Sequence, residues 1–128
     1  MIKKFRHEES KLKRLEFKLG NVVTFADIGL NEPGCVAAFE EMRPEIPMKD
    51  WWPFWFDEFH YVIKGKAEIT YTSPPFHDKE EKIIVEAGDA YLTPTGTCAT
   101  WKIIGSEPFL HLNVVMPRPA SFELGKEG

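Results

Sequence analysis

The chain of 128 residues has the length of one globular domain, and its 43% apolar and 13% aromatic residues can form a substantial core. Its formal net charge of -4 gives no electrostatic reason to expect nucleic acid or an anionic membrane as a partner. No apolar run approaches the roughly 18 residues that cross a bilayer, and the polar opening MIKKFRHEES does not fit a secretory signal. We therefore expect a cytoplasmic protein. Cys35 and Cys98 lie far apart without Cys-x-x-Cys spacing, which argues against a structural disulfide or a thiolate metal site.

Ten prolines and nine glycines divide the chain into short segments rich in β-branched and aromatic residues. Residues 1–18 are highly charged and predict a solvated arm, in which only residues 8–17 have the pattern of a short helix. Later in the chain, turn sequences such as Asn31–Gly34 and Gly105–Pro108 separate the segments. Eight segments predict strands: Val22–Ile28, Cys35–Met42, Glu58–Ile63, Ala67–Thr72, Lys82–Glu86, Ala90–Thr93, Cys98–Ile104 and Phe109–Met116.

This succession of strands predicts an all-β fold, because a parallel α/β sheet would need a helical segment between successive strands. Eight short strands in a chain of this size favour a closed barrel or a double-sheet jelly roll, since both arrangements close or pair the exposed sheet edges. We predict one domain over residues 1–128, with an arm at 1–18 and a barrel at about 19–119.

Two motifs add a family resemblance to this prediction. The segment Glu58-Phe-His-Tyr-Val-Ile-Lys-Gly65 resembles the end of the first cupin motif, and Gly88-Asp-Ala-Tyr-Leu-Thr-Pro94-Thr-Gly96 is similar to the opening of the second. Gly65 and Gly88 suit tight turns at strand ends, and Pro94 with Gly96 suits a further turn. The resemblance implies a cupin β-barrel that binds a small molecule in its interior and forms a homodimer. From the net charge we expect neither nucleic acid nor a membrane as a partner.

The departures from the cupin pattern concern its metal ligands. A His-x-His pair usually precedes the glutamate, and a third histidine follows the Pro-x-Gly turn; here Trp51-Trp-Pro-Phe54 and Ala99 stand in those places. A conventional site of three histidines and one glutamate therefore cannot be built. Within the cupins the chain is most similar to the EutQ-like, ethanolamine-utilisation branch, in which an aromatic stretch also precedes Asp-Glu. His60 stands where that branch often has an acidic residue.

Glu58 and His60 are two residues apart on a predicted strand, so their side chains point to the same face. A carboxylate beside an imidazole can hold a divalent metal or act as a general acid–base pair, and a satisfied core histidine is the structural alternative. His111 lies on a late strand whose alternation puts His111 and Asn113 on one face and the leucines on the other. Either face could line the interior. If His111 points inward, then Glu58, His60 and His111 form a relocated site for one divalent ion such as zinc, manganese, iron or nickel.

Aromatic residues cluster before the first motif, where the resemblance places the mouth of the cavity. They would form an apolar wall for a ligand, or alternatively a subunit interface or ordinary core. Tyr91 is a candidate acid or hydrogen-bond donor, and Glu40 a further cavity carboxylate, although a charged strand end in water is the favoured interpretation of Glu40. The candidate ligand-binding residues are Trp51, Trp52, Phe54, Trp55, Trp101 and Glu40.

Two functions follow from these residues. One is a cupin-type lyase, isomerase or dioxygenase acting on a small oxygenated metabolite, either through the metal or through Glu58 and His60 as an acid–base pair. The other is a non-catalytic binding or accessory protein. The EutQ-like resemblance also implies a role in a pathway that uses microcompartments.

Overall fold

The computed structural model describes residues 2, 4–7, 13–16, 22–27, 36–48 and 50–116, and of residues 13–16, 22–27 and 116 it describes the backbone alone. The described residues form strands and turns and contain no α-helix. None of them builds a helix with the length and apolarity of a membrane span. The strands are β1 (Lys13–Glu16), β2 (Val22–Asp27), β3 (Val36–Met42), β4 (Trp52–Pro53), β5 (Asp57–Lys64), β6 (Lys66–Thr72), β7 (Glu81–Glu86), β8 (Ala90–Thr93), β9 (Cys98–Ile103) and β10 (Phe109–Met116).

The eight predicted strands are confirmed as β2, β3 and β5 to β10, and the all-β prediction with them. The short helix considered for residues 8–17 is wrong at Lys13–Glu16, which forms β1 and pairs antiparallel with β2. The cause is tertiary: cross-strand hydrogen bonds to β2 outweigh a weak local preference for helix. β4, of only two residues, was not predicted, because its residues lie inside the aromatic stretch.

Two antiparallel sheets face each other in a jelly roll. The six-stranded sheet has the order β1-β2-β3-β10-β5-β8, and the four-stranded sheet has the order β4-β9-β6-β7. The core between them contains Phe54, Val62, Ile69, Trp101 and Phe109, all buried. Inward-facing residues of both sheets therefore form one interior, and both motif segments border it.

The strand register brings distant polar residues onto one inner face. His111 of β10 lies opposite Glu40 of β3, while Asn113 lies opposite His60 of β5, which in turn lies opposite Tyr91 of β8. Directly opposite residues point to the same side of a sheet, and so do residues two apart on a strand. All five side chains therefore project toward the same side of the six-stranded sheet.

Packing of the leucines shows which face of β10 turns toward the interior. Leu110 packs against Phe39 on the outer side of the six-stranded sheet, with Leu112 and Ile63 beside them. His111 occupies the opposite face and is fully buried. The polar face of β10 thus lines the interior, and the leucines belong to a second, outer apolar cluster.

Gly65 shows why the first motif ends in glycine. It joins β5 to β6 with a φ of 82°, a left-handed conformation that residues with a Cβ rarely adopt. A Cβ at this position would lie 2.5 Å from the carbonyl oxygen of Pro108. Gly96 plays a related role after Pro94, with a φ of 91° in a turn closed by the hydrogen bond from Thr97 N to Pro94 O.

Candidate active site

Two carboxylate–imidazole pairs lie side by side within the jelly roll. His60 and His111 have exposures of 1% and 0%, and the side chains of their partners Glu58 and Glu40 have exposures of 16% and 14%. The imidazoles are therefore shielded from bulk water, while each carboxylate remains partly accessible. This is an unusual amount of ionisable chemistry for the interior of a small domain.

The first pair consists of Glu58 and His60. His60 Nδ1–H donates to Asn113 Oδ1 over 2.8 Å, which leaves Nε2 as the acceptor. Burial, reinforced by the charge of Glu40, raises the pKa of Glu58 to about 8. Burial and nearby His111 lower the pKa of His60 to about 3, against an opposing effect of the Asn113 hydrogen bond. Both groups are thus neutral at pH 7, and Glu58 Oε2 lies 3.1 Å from His60 Nε2.

Thr93 completes the surroundings of His60. Its Oγ1 lies 3.1 Å from His60 Nε2, and on β8 it is directly opposite Glu58. Asn113 and Thr93 therefore hold the ring from both sides, fixing its tautomer and its orientation.

The second pair belongs to a longer hydrogen-bond chain. Trp101 Nε1–H donates to Tyr91 Oη over 3.2 Å, and Tyr91 O–H donates to His111 Nδ1 over 3.0 Å. His111 Nε2–H in turn donates to Glu40 Oε1 over 2.7 Å. Burial raises the pKa of Tyr91 well above its usual range, with the charges of Glu40 and Glu58 adding to the effect and the Trp101 hydrogen bond opposing it. The phenol therefore keeps its proton, and all three hydrogen bonds are donated in the direction of the Glu40 carboxylate.

The two pairs are in direct contact through their rings. The ring centroids of His60 and His111 are 5.3 Å apart with 17° between the planes, and the Tyr91 ring stacks on His60 at 4.2 Å and 5°. Because of this proximity, a charge on one pair shifts the pKa values of the other. The site therefore holds a protonated carboxylic acid at Glu58 beside a negatively charged carboxylate at Glu40.

A metal ion does not fit these donors as they are arranged. No group of three or more His, Cys, Asp or Glu side chains in the described part of the chain is placed to hold one. Both ring nitrogens of His60 and of His111 are engaged by protein partners, and Glu58 carries a proton. A divalent ion would need Glu58 ionised and the Nε2 lone pairs of both imidazoles redirected toward one point.

A cavity of about 500 Å³ opens between the two sheets beside this site. Its wall includes Tyr91 and Thr93, which are hydrogen-bonded directly to His111 and His60, and it continues along Ile69 and Ile83 of the four-stranded sheet. The cavity thus reaches the paired imidazoles through two hydroxyl groups.

The aromatic residues predicted to form one wall of the cavity lie in different surroundings. Phe54 is buried in the core, with its ring edge toward His60 at 6.2 Å, and Trp101 joins the Tyr91 hydrogen-bond chain. Trp51 and Trp52 are half-buried, whereas Trp55 is largely exposed. None of these five residues lines the 500 Å³ cavity.

Asn113 and Thr93 were not among the predicted site residues. The alternation of β10 did place Asn113 on the face of His111, which was the available signal. Thr93 carried no signal of its own, because its position depends on the pairing of β8 with β5. The hydrogen bond between Glu40 and His111 spans 71 positions and likewise depends on register.

Comparisons with known proteins identify the fold. No protein-family model matches the sequence, and no curated protein sequence matches it. A predicted oxalate decarboxylase from Thermotoga maritima superposes with a TM-score of 0.70 at 17% identity over 88% of this chain and 97% of its own. The Schizosaccharomyces pombe Cnp3 cupin domain superposes with a TM-score of 0.68 at 18% identity, over 98% of this chain and 80% of its own. The Clostridium difficile EutQ protein superposes with a TM-score of 0.62 at 20% identity, over 84% of this chain and 80% of its own.

These structures differ in their described roles but share one architecture. EutQ is one of several such neighbours, so the likeness does not single out the EutQ-like branch. Two antiparallel sheets in this arrangement, superposing on a cupin domain over nearly the whole chain, show that the protein has the cupin jelly-roll fold.

Proposed function

We propose that the protein is a cupin-type enzyme that catalyses proton transfer on a small oxygenated metabolite, as an isomerase or lyase does. The observation that carries this proposal is the geometry of the site, in which the Glu58 and Glu40 carboxyl groups flank two stacked imidazoles inside the jelly roll. Burial raises the pKa of Glu58 to about 8, so this carboxyl group can act as the acid and Glu40 as the base.

The proposed chemistry assigns one role to each carboxyl group. The Glu40 carboxylate, held by His111 Nε2–H, accepts a proton from the carbon next to a carbonyl group. Glu58 donates its proton to the carbonyl oxygen, so an enol forms and the total number of protons is unchanged. Return of a proton to a different carbon would give the isomer, and loss of a leaving group would give the elimination product.

The direct test is exchange of α-protons with solvent. Hydroxyacetone, acetoin and cyclohexanone would be incubated with the protein in D₂O, and loss of each α-proton signal followed by NMR. We expect exchange above the buffer rate that falls at least about 100-fold in Glu58→Gln, since general acid catalysis contributes that much. Glu86→Gln, a change at a largely exposed carboxylate, is the matched control and should leave the rate unchanged.

The rate should also decline as the pH rises through about 8, because Glu58 then loses the proton it donates. Exchange that is equal in the wild type and Glu58→Gln would refute the assignment of the acid.

A non-catalytic binding protein is the second candidate, and one observation favours it. Every ring nitrogen of His60 and His111 already has a partner inside the protein, so the network is complete without a ligand. Ligand binding without α-proton exchange for any of the three compounds would support this alternative.

A further inference from the structure

The cavity beside the site is built from uncharged groups. The described residues that line it include no Asp, Glu, Lys, Arg or His. Its apolar surface comes from Ile69, Ile83 and Ala99, and its polar surface from hydroxyl groups, among them those of Tyr71, Tyr91, Thr93 and Thr97. Such a lining can accept and donate hydrogen bonds but cannot neutralise an ionic charge.

Acidic groups lie behind this wall at several points. Asp57 accepts hydrogen bonds from the backbone N–H and the hydroxyl of Thr95, and Glu81 accepts one from Tyr71. The charge of Glu40 reaches Tyr91 and raises the pKa of its phenol. Glu81 also lies 3.8 Å from Lys79, so its charge is partly compensated. The described lining nevertheless offers no cation to an anion in the cavity, and the charge of Glu40 beyond Tyr91 would repel it.

The shape of the inner wall indicates an apolar body for the ligand. Ile83 lies opposite Ile69 and on the same face of β7 as buried Val85, yet it is 39% exposed because the cavity opens in front of it. Covering this side chain would remove apolar area from water, which favours a ligand with a ring or an alkyl chain.

From these observations we propose that the cavity binds an uncharged ligand, with an apolar ring or chain and a hydroxyl group that donates a hydrogen bond to Tyr91 or Thr93. The described lining includes neither Glu40 nor Glu58, so this ligand site adjoins the proposed catalytic residues and the inference goes beyond the proposed function. Carboxylates and phosphonates of similar size are disfavoured because the described lining holds no cation, and organic cations are disfavoured because it holds no carboxylate to pair with them.

Three probes of equal shape test the charge preference: benzyl alcohol, benzoate and benzylammonium at pH 7. Binding would be followed by two-dimensional ¹H–¹⁵N NMR, in which shifts at Thr93, Thr97 and Ala99 locate the probe in the cavity. We expect benzyl alcohol to shift these amides and to bind at least about tenfold more tightly than either ion, a difference of about 1.4 kcal/mol. Equal affinities, tighter binding of an ion, or no shift of these amides by benzyl alcohol would overturn the proposal.

Adjacent positions on β7 provide a matched pair of variants. Ile83 faces the cavity, whereas Ile84 points to the outside and is 57% exposed. Ile83→Lys places a cation at the cavity and should raise the benzoate affinity several-fold, while Ile84→Lys should change nothing. The same gain in both variants would show that benzoate binds elsewhere. If Ile83→Lys does not fold, the wild-type comparison still decides the matter.

The probes also separate this inference from the proposed function. Benzyl alcohol bound as expected, with α-proton exchange unaffected in Glu58→Gln, would refute the catalytic role and keep the ligand class. If exchange depends on Glu58 but the protein binds benzoate as well as benzyl alcohol, the catalytic role would stand and the proposed ligand class would be refuted.

Discussion

Replacing Glu58 by Gln should change how stability depends on pH. The pKa of Glu58 is about 8 in the folded protein and about 4.5 when the chain is unfolded. The folded state therefore binds more protons than the unfolded state between these values, and stability falls as the pH rises through that range. His60 acts in the opposite sense, because its pKa is about 3 when folded and about 6.5 when unfolded, so its contribution is lost as the pH falls.

The contributions of Glu58 and His60 to stability change over different ranges of pH. Between pH 4.5 and 6.5 they oppose each other, and above pH 6.5 the Glu58 contribution is the larger, because the unfolded His60 has only half a proton left to lose. From pH 6.5 to 8 the two contributions together lower the free energy of unfolding by about 1 kcal/mol. Gln is uncharged at every pH, like the protonated acid, so Glu58→Gln should not lose stability over this interval.

Urea unfolding at pH 6.5, 7.25 and 8.0 measures this difference directly. Wild type and Glu86→Gln should both lose about 1 kcal/mol across the series, and Glu58→Gln should lose none. A parallel loss in Glu58→Gln would refute the raised pKa and the acid role derived from it.

Three further predictions concern the network, the turn and the metal. Tyr91→Phe removes a buried hydroxyl that donates to one imidazole and accepts from an indole, and should cost about 1–3 kcal/mol in urea unfolding, whereas Tyr61→Phe on the exposed face should cost little. Gly65→Ala should destabilise clearly more than Gly105→Ala, since both have positive φ but only the first brings a Cβ against the Pro108 carbonyl; equal costs would contradict this. Finally, Zn²⁺, Mn²⁺ or EDTA should leave the Tm unchanged, and a metal-dependent rise would contradict the donor arrangement described above.

Most of the fold was predictable because local signals agreed. β-branched and aromatic segments punctuated by Gly and Pro gave eight strands, and the two glycine-containing motifs gave the type of barrel. β1 escaped prediction because Lys-Arg-Leu-Glu has no alternation, and its strand conformation comes from pairing with β2.

The site was predictable only as far as single strands allow. Period-two alternation joined Glu58 to His60 and His111 to Asn113, but it could not say which face of β10 turns inward. The inward face of β10 is set by the packing of Leu110 against Phe39 on the outer side of the sheet. The contact of His111 with Glu40 follows from register across the sheet, which no local pattern contains.

The protonation state of the Glu58 carboxyl group is the most direct test of the account. Its ¹³Cδ resonance, assigned by its absence from the Glu58→Gln spectrum, would be followed between pH 3 and 10. We expect a midpoint near 8, with the carboxylic acid intact at neutral pH. A midpoint near the ordinary value of 4.5 would mean that an ionised carboxylate faces His60, and the proposed acid would not exist.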